Sequence, residues 1–215
     1  SKKIKFFPNW AEDMFQPLSQ TDNEPLPKGF NVMFAGNLGQ AQSLEVITRA
    51  AEQLRDQPVN WIILGDGRQA DWLRTEIRCK DLSHCVHQLG RRPMESMPSY
   101  FAQADAMLVT LGPDPHVGTT IPGKIQSYLA CGRPVIGALD GEGARVIKDS
   151  GSGFAVASGD ASKLAGVVQL MASYSDFKRN KLGANGLAYY NQYFSSNTLI
   201  PMLEAEMKEL IEDNS

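Results

Sequence analysis

From Phe30 onward the chain repeats one unit: a short apolar run, a glycine, then a longer stretch whose apolar residues return every third or fourth position. FNVMFAG, from Phe30 to Gly36, is a run that is apolar but for Asn31 and is closed by glycine. Such a run suits a strand covered on both faces, as parallel-sheet strands are. VNWIILGDG, HCVHQLG, AMLVTL, PVIGAL and FAVAS repeat the pattern. The segments between them read as helices: SLEVITRAAEQLRD, with Ser43 as its expected N-cap, then QADWLRTEIRCKDL, a short MESMPSYFAQAD broken or started near Pro98, KIQSYLACG, and EGARVIKDSGSG. DASKLAGVVQLMASYS, DFKRNKLGANGLAYYNQYF and TLIPMLEAEMKELIED add three C-terminal helices. Alternation of this kind with short connections predicts the α/β class: a doubly wound parallel sheet of about six strands with helices on both faces and extra C-terminal helices.

The flanks read differently. Residues 1–29 lack the repeat. FFPNW is a short apolar turn, and QPLSQTDNEPLPKG is a Pro-rich polar loop, so this part reads as a lead-in or linker. The expected organisation is a lead-in over 1–29, a ligand-binding domain over 30–195 and a terminal helix over 196–215. The sequence opens on Ser1 rather than Met, which suggests a piece of a longer protein.

Composition narrows the function classes. The 215 residues suffice for one large domain with a substantial core. The net charge of -3 gives no bulk attraction to nucleic acid or anionic lipid, so any phosphate must be held by a local site. The three cysteines, Cys79, Cys85 and Cys131, fit neither a disulfide framework nor a zinc site. No stretch has the roughly 18–20 apolar residues of a membrane span, and no signal-peptide pattern appears. The expected compartment is the cytoplasm.

Candidate chemistry gathers at the strand ends. In an open parallel sheet, ligands bind beyond the carboxyl ends of the strands. AGNLG, LGDG, LGRR and the loop from Gly112 to Gly123 stand at four such ends. Glycine there lets backbone N–H groups approach a phosphate or sugar. The dinucleotide fingerprint and the P-loop are both absent, and no spacing suits a metal. TTIPGKIQSYLACGRPVIG, from Thr119 to Gly137, puts Gly123 and Lys124 at a helix start. Free N–H groups and the positive helix end favour an anion there, and Lys124 adds a full charge that a helix N-terminus does not otherwise prefer. Thr119 and Thr120 offer hydroxyls just before it. Arg91 or Arg92 supplies a second charge, with one of the pair expected to remain on the surface. His84 and His87 read as structural, whereas His116 lies in the long loop within reach of a ligand.

These residues resemble the C-terminal, donor-binding domain of retaining glycosyltransferases of family 4, also called group 1. The resemblance runs over nearly the whole chain. PNWAEDMFQPL is similar to the family's interdomain segment, and FNVMFAGNLGQAQSLEVITRAAEQL to its first strand, glycine loop and helix. WIILGDGRQADWLR and VHQLGRRPMESMPSYFAQADAMLV match the next two units, and IPGKIQSYLACGRPVIGALDGEGARVIKDSGSGFAVASGD matches the core signature. The nearest branch builds bacterial surface polysaccharides. The resemblance implies the GT-B fold, in which two Rossmann-like domains face each other across a cleft. It also implies that this half binds a UDP- or GDP-sugar without a metal or other cofactor. By matched position, Gly36, Asn37 and Gly39 line the diphosphate, with Gly65 on the same rim. Arg91 and its neighbours flank the base. Thr119, Thr120 and Gly123 meet sugar and phosphate, and Lys124 stabilises charge on the leaving group. An N-terminal acceptor domain is expected to precede Ser1, with the last helix packing towards it. A lipid-linked acceptor would put the full-length protein at the inner face of the membrane.

Two positions depart from the family pattern. Its glutamate pair is replaced by Thr119 and Ser127, so Ser127 or Gln126 would bond the ribose more weakly than a carboxylate. The lysine usual after the first glycine loop is replaced by Gln42. Two other readings stay open: a nucleotide-sugar epimerase of the same architecture, and a non-catalytic domain that binds a small phosphorylated effector.

Overall fold

A computed structural model describes residues 6–19, 21, 23–113 and 117–212. Six strands form one all-parallel sheet in the order β3-β2-β1-β4-β5-β6. They are β1 (Phe30–Ala35), β2 (Val59–Leu64), β3 (Val86–Gly90), β4 (Ala106–Thr110), β5 (Val135–Ala138) and β6 (Gly153–Val156). The helices between them are α1 (Leu44–Gln53), α2 (Ala70–Cys79), α3 (Met97–Gln103), α4 (Gly123–Ala130) and α5 (Glu142–Asp149). The chain closes with α6 (Ala161–Ala172), α7 (Asp176–Tyr193) and α8 (Ser196–Glu212).

Alternation along the strands divides the core in two. Val32 and Phe34 of β1 pack with α1, α2 and α6 on one face. Met33 and Ala35 point the other way, to Phe101 of α3, Ile125 and Leu129 of α4, Val146 of α5 and Tyr190 of α7. Both faces of β1 and β2 are therefore buried, which is why these strands read as apolar runs broken by one asparagine each, Asn31 and Asn60. The connection from β3 to β4 crosses back past β1, so the strand order reverses between β1 and β4. Helices leave the sheet on opposite faces there and open a crevice at the carboxyl edge.

One local expectation changes, and another takes a definite form. Ser43 precedes α1, but it adopts a left-handed conformation (φ 49°, ψ 51°) and caps no backbone N–H. Its hydroxyl donates to the Glu45 carboxylate at 2.7 Å instead. The cause is a 3-10 turn over Gln40–Gln42 that runs straight into the helix. The break expected near Pro98 is a 3-10 turn over Met94–Ser96, followed by α3 with the proline in its first turn, where the missing N–H costs nothing.

α8 carries Pro201 inside it and leaves a row of apolar side chains in solvent, Met207 at 55% exposure among them. Among the described residues, no helix is long and apolar enough to cross a membrane.

Candidate functional site

A cleft of about 930 Å3 lies over the carboxyl ends of β1, β2 and β3 and against the first turns of α4. Its floor is backbone. Gly65 (φ +136°) sits so close to the β1 end that a Cβ there would stand 1.8 Å from the Gly36 carbonyl oxygen. Gly36 (φ +143°) faces the Lys124 ammonium, which would lie 3.2 Å from an added Cβ. Gly67 (φ +155°) leaves room for Asn37, whose Oδ1 would be 2.5 Å from a Cβ there. Conformation favours glycine at all three places, and at Gly65 and Gly67 backbone oxygens also leave no room for a Cβ.

Three cations face the cleft: Arg91 and Arg92 from the loop after β3, and Lys124 from α4. Only one arginine was expected; both line it, and the Arg92 guanidinium also lies 6.0 Å from the Tyr100 ring centre. Pro122 sets the extended turn before α4, which places Lys124 at the second helical position. The Lys124 Nζ donates to the side-chain carbonyl of Gln42 at 2.6 Å and lies 4.0 Å from the centre of the Phe34 ring. Burial pushes its pKa down to about 7, because a charged ammonium is disfavoured where water is excluded. The lysine is thus held over the end of β1 by a neutral acceptor and an aromatic face.

The Gln42 turn is itself anchored. Thr110 at the end of β4 donates its hydroxyl to the Gln42 backbone carbonyl at 2.5 Å, and the Gly112 N–H donates to the Ala41 carbonyl at 2.8 Å. One helical turn past Lys124, Tyr128 reaches the same strand end. Its hydroxyl donates to the Ala35 carbonyl at 3.0 Å and accepts from the Ala35 N–H at 3.1 Å. The β1–β4 pairing ends one residue earlier, at Phe34 and Leu108. The tyrosine therefore supplies both ladder partners that β4 no longer offers. Burial raises its pKa, so it stays a neutral donor.

Of the residues expected from sequence, Gly36, Asn37, Gly65, Arg91, Lys124 and Ser127 come together in this cleft. Gly123 lines a second, smaller cavity beside it, which Ser127 also borders. Gly39 precedes the Gln40–Gln42 turn, and a Cβ there would meet the Asn37 amide at 3.0 Å. Thr119 ends a 3-10 turn and Thr120 follows it; both are exposed and neither lines the main cleft. His116 lies outside the described residues. Gln126 is 2% exposed and its amide faces the carbonyls of Pro122 and Gly123, which removes it as a ribose ligand. Among the described residues, no group of three His, Cys, Asp or Glu is placed to hold a metal ion. Sequence reading missed Phe15, Met97, Phe101 and Tyr128, which wall the cleft. For Met97, Phe101 and Tyr128 the only signal was apolar periodicity, which cannot separate a cleft wall from a core; Phe15 had none.

Residues 29–173 match the family model described as "Glycosyl transferases group 1". The chain belongs to this family. It is 25% identical over 221 residues to the probable glycosyltransferase WbjE of Pseudomonas aeruginosa, covering 99% of this chain and 54% of that protein. It is 28% identical over 148 residues to the putative colanic acid biosynthesis glycosyl transferase WcaI of Escherichia coli, covering 61% of this chain and 34% of that one. Among solved structures, the Anabaena Alr3699/HepE complex with UDP superposes with a TM-score of 0.73 at 22% identity, over 84% of this chain and 49% of that one. The chain thus spans about a third to about half of the length of these relatives. The structural likeness supports the Rossmann-like sheet read from the sequence.

Proposed function

We propose that this chain is the donor-binding half of a glycosyltransferase, and that the cleft over β1 and α4 holds a nucleoside diphosphate sugar. The observation that carries the reading is Lys124, an ammonium held at a helix start above a floor made of glycine backbone. That floor lets a diphosphate approach, and the helix start supplies N–H groups aimed outward. The Anabaena neighbour was solved with UDP, which supports a nucleotide in the equivalent domain.

In this reading the diphosphate lies across Gly36, Asn37 and Gly39, within reach of Thr119, Thr120 and Gly123. The base lies beside Arg91, and the ribose near Ser127. Lys124 leaves Gln42 for the phosphate and stabilises negative charge as the sugar departs, a preorganised cation acting in a partly dehydrated site. The positive charge comes from the lysine rather than from a bound metal. The transferred sugar keeps its anomeric configuration, as the family resemblance implies. The acceptor is a growing polysaccharide or a lipid-linked precursor, in keeping with the colanic acid assignment of the Escherichia coli relative. An acceptor domain of the same polypeptide covers the exposed apolar row of α8.

Calorimetric titration with UDP, GDP and ADP tests the reading, with Lys124→Ala alongside. Saturable binding of one diphosphate, weakened about tenfold or more in the variant, supports it. A wild-type chain that binds none of the three refutes it.

A further inference from the structure

The two hydroxyls of a ribose sit on adjacent carbons and are matched by the two oxygens of one carboxylate. α4 (GKIQSYLA) offers none, and in the donor-site reading Ser127 is its residue beside the ribose. A carboxylate is available from another part of the chain. The second cavity, of about 400 Å3, adjoins the main cleft, and Phe15, Met94 and Ser127 line both. Its outer wall comes from the lead-in, where Glu12 faces it.

Glu12 is on a fixed support. Ala11 and Phe15, on either side, are 2% and 8% exposed in the core. The Phe15 N–H donates to the Glu12 carbonyl at 2.9 Å, which closes a turn at residue 12. The Phe15 ring stacks on Phe101, with centres 5.7 Å apart and planes 13° from parallel. Among the described residues, the Glu12 carboxylate makes no hydrogen bond or ion pair. The acid of the main cleft, Asp66, differs: its Oδ1 accepts the Gly67 N–H at 2.8 Å and so holds its own loop.

We infer that Glu12 grips the 2′- and 3′-hydroxyls of the nucleotide, with the ribose at the junction of the two cavities beside Ser127. A lead-in residue thus does what a carboxylate on α4 would otherwise do. The inference rests on the donor-site reading above and adds to it the residue that selects a ribonucleotide.

The test is calorimetric titration of the wild-type chain, Glu12→Gln and Asp66→Asn with UDP, GDP and ADP and with the 2′-deoxy form of whichever binds. Glutamine keeps the size but loses the charge and one acceptor oxygen. Glu12 is exposed, so the melting temperature of its variant should match wild type. The expected result is an about tenfold preference for the ribose form in wild type, most of it lost in Glu12→Gln and kept in Asp66→Asn. A full preference in Glu12→Gln, its loss in Asp66→Asn, or no preference in wild type overturns the role of Glu12 and leaves the donor site standing. Failure of wild type to bind any diphosphate removes both.

Discussion

The Lys124 ammonium and the Gln42 side-chain carbonyl meet at 2.6 Å, across 82 residues of sequence. Gln42 is neutral, so the pair is a holding contact rather than an ion pair, and an arriving phosphate competes with it easily. Until then the ammonium is a charge partly withdrawn from water at a cost. Lys124→Met should therefore stabilise the free chain, by about 1 kcal/mol at pH 6, while lowering diphosphate affinity by tenfold or more. Urea denaturation and titration on the same protein check both halves. A variant that loses stability as well as affinity would show that the lysine is a structural strut.

Proton uptake gives a second handle. The free ammonium titrates near 7, well below its ordinary value, and a bound diphosphate raises it again. Binding should take up about half a proton at pH 7 and close to one between about pH 8 and 9, where affinity should fall up to about tenfold per pH unit. Below pH 7 the lysine is already charged and the uptake should vanish. Titration in buffers of different ionisation enthalpy measures it directly. The sign for stability follows: between pH 7 and 10.5 the unfolded chain holds the proton and the folded one does not, so the free chain should gain stability as pH rises through that window.

Tyr128→Phe keeps the ring in place and removes only the hydroxyl. The Ala35 N–H and carbonyl then lose their partner in a buried place. Each orphaned group costs about 1–3 kcal/mol, so a total loss of about 2–6 kcal/mol is expected in urea unfolding with an unchanged m value. A loss below about 0.5 kcal/mol would mean that water enters and replaces the hydroxyl.

Gly65→Ala should be far worse than an ordinary loop substitution. Its Cβ would meet backbone, the Gly36 carbonyl oxygen, at 1.8 Å, and its φ of +136° is one that side chains avoid. The expected outcome is a loss above about 3 kcal/mol or failure to fold. Gly123→Ala is the contrast: nothing lies within 4 Å of an added Cβ there, and stability should hold within about 1 kcal/mol.

The sheet was legible because β1 and β2 are buried on both faces, which forces largely apolar runs, and because glycine closes both strand ends. Lys124 was legible because a lysine at a helix start needs a reason. Its partner was not. Gln42 reaches it through a 3-10 turn anchored on Thr110, a contact set by tertiary packing and invisible to local pattern. Tyr128 looked like a core residue, and it is one; its hydroxyl bonds matter only because the β1–β4 pairing stops at Phe34 and Leu108, one residue short of Ala35. The lead-in was read as linker from its prolines and polar residues, yet Ala11 and Phe15 are part of the core. Two apolar residues in a polar stretch carry too little periodicity to announce that.

The contact between Gly65 and Gly36 also limits how such a cleft can diverge. Two loops that touch through bare backbone leave no side chain to exchange, so drift at either position is closed off. New substrate preferences must arise on the walls, in the loop after β3 and in the lead-in, where side chains face the space. Descendants of this domain would keep the same floor and change what stands around it.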